Sequence, residues 1–252
     1  MEANFLKSFD STKELDVFIA ELMITELQKP GLILLPVGNT FEAADVYNPG
    51  IYPQVNAYFK LTENIFYDDQ NNEAVQKPQR HKPHPELKLS HLDELINEKK
   101  TSFSSRLREN LPDLLDQLDD SFYAIDIQSV DDFDRFVKRC GGPRIIFAGL
   151  GTDPSTAHIA FIGEDYINTT TAVVELSSMA ALEHNCSRAV TIGTDIFSYA
   201  GLEAIIVVAK GGSKADPLEA AFADADTGLG YLIKHHSEKL KIYTDHQVMG
   251  KV

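Results

Sequence analysis

Short runs that are apolar throughout alternate along this chain with stretches whose apolar residues recur at helical spacing. Ser11-Thr12-Lys13-Glu14 has the form of a capping box, and behind it Leu15, Phe18, Ile19, Leu22, Met23 and Leu27 form one face of a helix that Pro30-Gly31 stops. GLILLP at 31–36 is a continuous apolar run after a turn signal and predicts a buried strand. Val37-Gly38-Asn39-Thr40 leads into a short helical stretch at 41–47, closed by Pro49-Gly50. The segment from about 48 to 86 is the least regular. Its DDQNNE and KPQRHKPHP runs are polar and proline-rich and predict a long surface excursion. Regularity returns with LKLSHL at 87–92, where apolar and polar residues alternate. Helices are expected at 102–111, 112–118 and 130–138, and strands at 123–127 and, in RIIFAGL, at 144–150. Further strands are expected at 189–192, 204–209 and 240–243, with helices at 178–184, 217–223 and 230–239 between them.

Strands and helices that alternate in this way, with several strands apolar from end to end, predict an α/β fold in one domain (1–252), its parallel sheet covered on both faces. Ligands in such sheets bind beyond the carboxyl ends of the strands. The loops after Pro36, Leu92, Leu150 and Ala209 are therefore where chemistry is expected.

The chain has 252 residues, 43% of them hydrophobic, which is enough for a buried core and excludes a mainly disordered protein. Lys and Arg total 23 against 38 Asp and Glu, a net charge of −15, which argues against an extended nucleic-acid or anionic-membrane surface while leaving room for a local anion pocket. No apolar run approaches the length of a membrane span, and no basic stretch followed by a long apolar run opens the chain. Cys140 and Cys186 make no CxxC pair or ligand cluster, so a disulfide framework is excluded and a reducing, cytoplasmic setting is expected.

Four loops carry candidate chemistry. Gly38, Asn39 and Thr40 stand between a strand and a helix, where backbone N–H groups suit either a phosphate or an ordinary turn. Asp93-Glu94 follows LKLSHL, as a base facing the crevice or as the start of a solvated acidic loop. Gly149-Leu150-Gly151-Thr152-Asp153, with His158 and Glu164 beyond it, could hold an imidazole between two carboxylates, an arrangement suited to proton shuttling near neutral pH; a structural histidine is the alternative. Gly211-Gly212-Ser213-Lys214 places a lysine at a loop-to-helix junction, as a phosphate ligand or a surface residue. His81, His84 and His91 have no partner in a metal-binding spacing, so no metal is assigned, and His235-His236 falls in a late helix. No Walker sequence and no G-x-G-x-x-G occur, and Ser177 and Ser178 lack the G-x-S-x-G setting of a hydrolase nucleophile.

The order of these pieces resembles the glucosamine-6-phosphate deaminase/isomerase family, which shares its fold with 6-phosphogluconolactonases. LPVGNT is similar to the family's LPTGGTP-like phosphate loop, LDEL to its MDEY, GLGTD…HIAF to its GxGxDGHIAF, and AVTIG…GGSKADPLEAAF to its ALTVG…GSQKALALQAA stretch. The likeness runs from about residue 31 to 245 and implies a Rossmann-like three-layer sandwich with a mostly parallel central sheet. It implies that Asp93 moves a proton between C2 and C1 of an opened sugar phosphate and that His158 assists ring opening, oriented by Asp153 and Glu164. It further implies that Gly38, Asn39, Thr40 and Lys214 hold the phosphate, with Arg188 as a second cation, and that Gly149 and Gly151 lie along the sugar. The partner implied is a small phosphorylated sugar, with no cofactor, and family members are often oligomers, so a homo-oligomer is an expectation.

The departures are specific. The family has one residue between its Asp and His, whereas residues 154–157 intervene here. Glu164 follows His158 at six positions rather than five, and Asn39 replaces a glycine. The reading is a divergent aldose–ketose isomerase or deaminase, with a 6-phosphogluconolactonase-like hydrolase or a non-catalytic sugar-phosphate binder as alternatives.

Overall fold

The structure, a computed structural model, describes residues 5–38, 40–42, 50–60, 62–67, 74–79, 81–96, 102–163 and 169–250. The first half of the chain contains β1 (Leu6–Phe9), α1 (Thr12–Leu27), β2 (Gly31–Leu35), α2 (Ile51–Phe59), β3 (Thr62–Tyr67), β4 (Ala74–Gln79), β5 (Leu87–His91) and β6 (Asp93–Leu95). It continues through α3 (Phe103–Asn110), α4 (Pro112–Leu118), β7 (Phe122–Tyr123) and α5 (Val130–Arg139). The second half holds β8 (Pro143–Gly149), β9 (Ala172–Glu175), α6 (Ser178–His184), β10 (Arg188–Thr191) and β11 (Ala204–Ala209). It closes with α7 (Ala215–Ala223), α8 (Gly228–His236), β12 (Leu240–Asp245) and α9 (His246–Met249).

Seven strands form the central sheet in the order β1-β12-β11-β8-β2-β5-β7, every pairing parallel. The continuous apolar runs follow from burial on both faces. In β2, Ile33 and Leu35 enter one core while Leu32 and Leu34 enter the other; in β11, Ile206 and Val208 oppose Ile205 and Val207. Leu15, Ile19 and Met23 of α1, with residues of α2, α3 and α4, cover the first face, and Phe133 of α5, Leu218 of α7 and Leu232 of α8 cover the second. Ser11 caps α1 as its sequence implies, its hydroxyl accepting from the Glu14 N–H at 3.2 Å.

Two sequence readings need correction, and a third falls mostly outside the described residues. Among its described residues, the segment from about 48 to 86 is not irregular throughout, for it holds α2 and the antiparallel pair β3 and β4. Ile51, Tyr52, Val55 and Phe59 form the buried stripe of α2, and Pro53 lies in its first turn, where its missing N–H costs nothing. Asp93-Glu94 does not open a solvated loop. These residues form β6, which pairs with β10, itself paired with β9, in a separate three-stranded antiparallel sheet. The 189–192 run is therefore a strand outside the main sheet. The helix expected at 41–47 falls mostly outside the described residues; residues 40–42 turn back, with the Phe41 N–H bonded to Gly38 O at 3.1 Å. No helix among the described residues is long and apolar enough to cross a membrane.

Candidate active site

The chain reverses direction across the sheet between β2 and β8, and loops after β2, β5, β8 and β11 meet at that point. Around them is a cavity of about 240 Å³, lined among others by Gly38, Thr40, Asp93, Gly149, Gly151, His158, Lys210 and Lys214. That volume suits a small ligand and not a dinucleotide. The structure thus brings together Asp93, His158 and Lys214, which are far apart in sequence.

Each wall is fixed by an identifiable contact. After β2, the buried Tyr52 hydroxyl of α2 donates to the Pro36 carbonyl, tying the segment assumed irregular to the rim of the cavity. After β5, His91 is fully buried. Its Nε2 accepts from the Ile125 N–H at 3.0 Å, so its Nδ1 carries the proton and donates to the Asp93 carbonyl at 2.7 Å. Burial pushes the His91 pKa down, against the opposing Glu94 charge and Asp93 carbonyl, which keeps this ring neutral. After β11, Gly211 adopts φ +83°, a conformation glycine accepts without strain, and its N–H donates to Asp245 Oδ2 at 3.1 Å. Asp245 is fully buried at the end of β12 and also accepts from Thr12 Oγ1 at 2.6 Å, so one carboxylate anchors the Lys214 loop to α1 and β12.

The two adjacent acids do different work. Glu94 accepts from the Phe103 N–H at 2.6 Å and the Ser104 N–H at 3.1 Å, and so closes the open N-terminus of α3. Glu94→Ala is expected to lower stability by about 1–2 kcal/mol, read as a lower urea midpoint; an unchanged midpoint would contradict this role. Asp93 is 5% exposed, and its Oδ1 has no hydrogen-bond partner among the described residues. Burial, then the neighbouring Glu94 charge, push its pKa well above the usual carboxylate value, with Arg106 opposing. A buried, unpartnered carboxyl with a raised pKa on a cavity wall is the combination found in general acids and bases.

His158 Nδ1 lies 3.2 Å from Thr156 Oγ1, and the ring packs on Gly151, where an added methyl would overlap the imidazole. Ala157 and Ala160 on either side have φ +36° and +52°, a left-handed backbone that costs a non-glycine residue about 1 kcal/mol each and that clusters at functional sites. Asp153 does not line the cavity. Its carboxylate accepts from Ser155 N, Ser155 Oγ and Ser177 Oγ, at 2.9, 2.6 and 2.9 Å. Burial alone would raise its pKa, but the Ser155 and Ser177 hydrogen bonds and the nearby His158 hold it below the usual value. Lys214 is half-buried, and desolvation lowers its pKa to about 8 against the opposing Glu183 charge.

Arg188 is not brought to the cavity. It starts β10 and is exposed, with its Nε 3.2 Å from Glu175 on the paired strand. Asn39 and Glu164 lie outside the described residues. No group of three or more His, Cys, Asp or Glu residues positioned for a metal ion occurs among the described residues.

No protein-family model matches the chain, and no curated protein matches it significantly. Solved structures do match over nearly the whole length. A monomeric glucosamine-6-phosphate deaminase described as a missing link of the NagB superfamily superposes with TM-score 0.71 at 15% identity, over 98% of this chain and 99% of that one. The 6-phosphogluconolactonase of Leishmania guyanensis gives 0.68 at 14% identity, and that of Trypanosoma brucei 0.66 at 16%, each over 98% of both chains. The fold is that of the NagB superfamily.

On this NagB fold, sequence reasoning missed several wall residues. Glu183 and His184 come from the end of α6, and Glu183 accepts from Thr152 Oγ1 at 3.0 Å. Phe161, which lines the cavity, stacks against Phe103 and meets the His184 ring edge-on. Lys210, next to the recognised GGSK loop, was also missed, though a lysine directly after an apolar strand was a readable signal.

Proposed function

We propose that this chain is a sugar-phosphate enzyme that interconverts an aldose phosphate and a ketose phosphate by moving a proton between C1 and C2. Glucosamine-6-phosphate is the first substrate to test; after the proton shift, water hydrolyses the C2 imine, supplying the ketone oxygen and releasing ammonia and fructose-6-phosphate. The observation that carries the reading is the buried Asp93 carboxyl, sharing one small cavity with His158 and, through a separate loop, with Lys214. The NagB fold, which glucosamine-6-phosphate deaminase also has, supports it.

In this reading Lys214, Gly38, Asn39 and Thr40 hold the phosphate while Gly149 and Gly151 lie along the sugar. His158, tuned by Asp153 and Glu164, passes the O1 hydroxyl proton to the ring oxygen as the C1–O5 bond breaks, so its own protonation is unchanged at the end of ring opening. Ionised Asp93 then takes the proton from C2, exchanges it with solvent while the enediol persists, and delivers a proton at C1, so no proton is lost or gained overall. The phosphate does not react; its binding energy orients the carbons that do. Nothing in these steps calls for a metal or an organic cofactor.

A second reading is lactone hydrolysis with His158 activating water, supported by lactonase structures that superpose nearly as well. Incubation with glucosamine-6-phosphate, a panel of aldose and ketose phosphates, and 6-phosphogluconolactone separates the two. Isomerisation or amine release is the expected result, lactone hydrolysis alone would select the second reading, and turnover of none would contradict both.

Gly151→Ala supplies a sharper check. The added methyl must displace the imidazole, and a displacement of about 1 Å costs on the order of 100-fold in turnover. The melting temperature should move far less than the rate. A variant as active as the parent would remove His158 from the mechanism.

A further inference from the structure

Asp16 sits on the buried face of α1 among Leu15, Ile19 and Met23, with no exposure at all. A carboxylate there demands a partner, and the partner comes from 194 residues away: Lys210 Nζ lies 2.9 and 3.1 Å from its two oxygens. Such pairs stabilise poorly, because desolving both ions offsets their attraction, so fold stability alone is a weak reason for one. Lys210 also lines the cavity, beside Ser213 and Lys214 of the same loop. Its side chain is 8% exposed. An ammonium has three N–H donors, and the Asp16 carboxylate takes two.

We propose that Lys210, fixed in place by Asp16, is the second cation of the phosphate subsite, so that a phosphomonoester is held between two lysines of one loop. The proposal deepens the sugar-phosphate reading and rests on it for the identity of the ligand. Lys210 takes the part that the family resemblance implied for Arg188, which the structure places on another sheet. Asp16 is a positioning residue: it aligns the ammonium and leaves one donor for a phosphate oxygen.

The test uses inorganic phosphate as the probe and isothermal titration calorimetry as the readout. Lys210→Met alone strands a buried carboxylate and risks unfolding, so the informative variant is Asp16→Asn/Lys210→Met, which removes both charges together. This double variant should melt within a few degrees of the parent and bind phosphate about tenfold or more weakly, with a shallower dependence on salt. Parent-like phosphate affinity in the double variant would overturn the proposal, and so would a parent protein that shows no saturable phosphate binding at millimolar concentration. The readout does not need turnover. The predicted phosphate pattern in a catalytically inert protein would sink the enzymatic reading alone, and an active isomerase whose double variant binds phosphate normally would sink only the role of Lys210.

Discussion

Asp93→Asn is expected to remove turnover while making the protein more stable. Loss of a general base costs about 10²- to 10⁴-fold in rate. The stability gain follows from the same burial. A carboxyl whose folded pKa lies above its unfolded value binds its proton more tightly in the native state. Stability therefore falls as pH rises through the window between the two values, and the ionised form is a burden on the fold above it. Asn is neutral at every pH and nearly the same shape, so the burden disappears. Each 1 kcal/mol gained raises Tm by about 2–4 °C in a chain of this size. The gain should be largest near neutral pH and vanish in acid, below the unfolded pKa. The same raised pKa places the acid limb of kcat/KM above the usual carboxylate range, because the protonated group cannot take the C2 proton. A variant that loses both rate and stability would mean that Asp93 is a structural acid.

Lys214 should give the second large effect, on binding rather than on chemistry. Desolvation lowers its pKa to about 8, so the free protein loses this cation as pH rises through that value. The expected result is an alkaline limb near pH 8 in kcat/KM, which reports the free enzyme. It should be weaker or displaced upward in kcat, because a bound phosphate favours the charged ammonium. Lys214→Met should reduce kcat/KM by about 10- to 100-fold, the worth of a hydrogen bond to a charged group, mostly through KM, and abolish the limb. Lys214→Arg should keep a cation to higher pH and move the limb upward. An alkaline limb that survives in Lys214→Met would assign it to another group.

The sequence made the central sheet legible because β2, β8 and β11 are buried on both faces and read as unbroken apolar runs. It hid α2 because Pro53 and the polar residues around it look like loop, although the proline stands where a helix tolerates one. β6 was hidden for a different reason. A strand of three residues that begins Asp-Glu has no pattern of its own, and its burial depends on pairing with a strand nearly a hundred residues later. Within the site, Gly38, Thr40, Asp93, Gly151, His158 and Lys214 were readable because each follows a strand end or a glycine-rich turn. Lys210 was a readable candidate directly after an apolar strand, but its pairing with Asp16 on a distant helix needed the fold. Arg188 entered only through the family resemblance, which does not say that its strand joins the small antiparallel sheet.

The proposed role of Asp93 is to move a proton on a phosphorylated sugar clamped by the neighbouring loops. Incubation with glucosamine-6-phosphate and the corresponding hexose phosphates in D₂O, followed by NMR of C1 and C2, tests it most directly. Solvent deuterium is expected to enter at these carbons with the parent protein, while Asp93→Asn, though folded and still binding phosphate, incorporates none. Absence of label with every sugar phosphate, or equal labelling by Asp93→Asn, would contradict it.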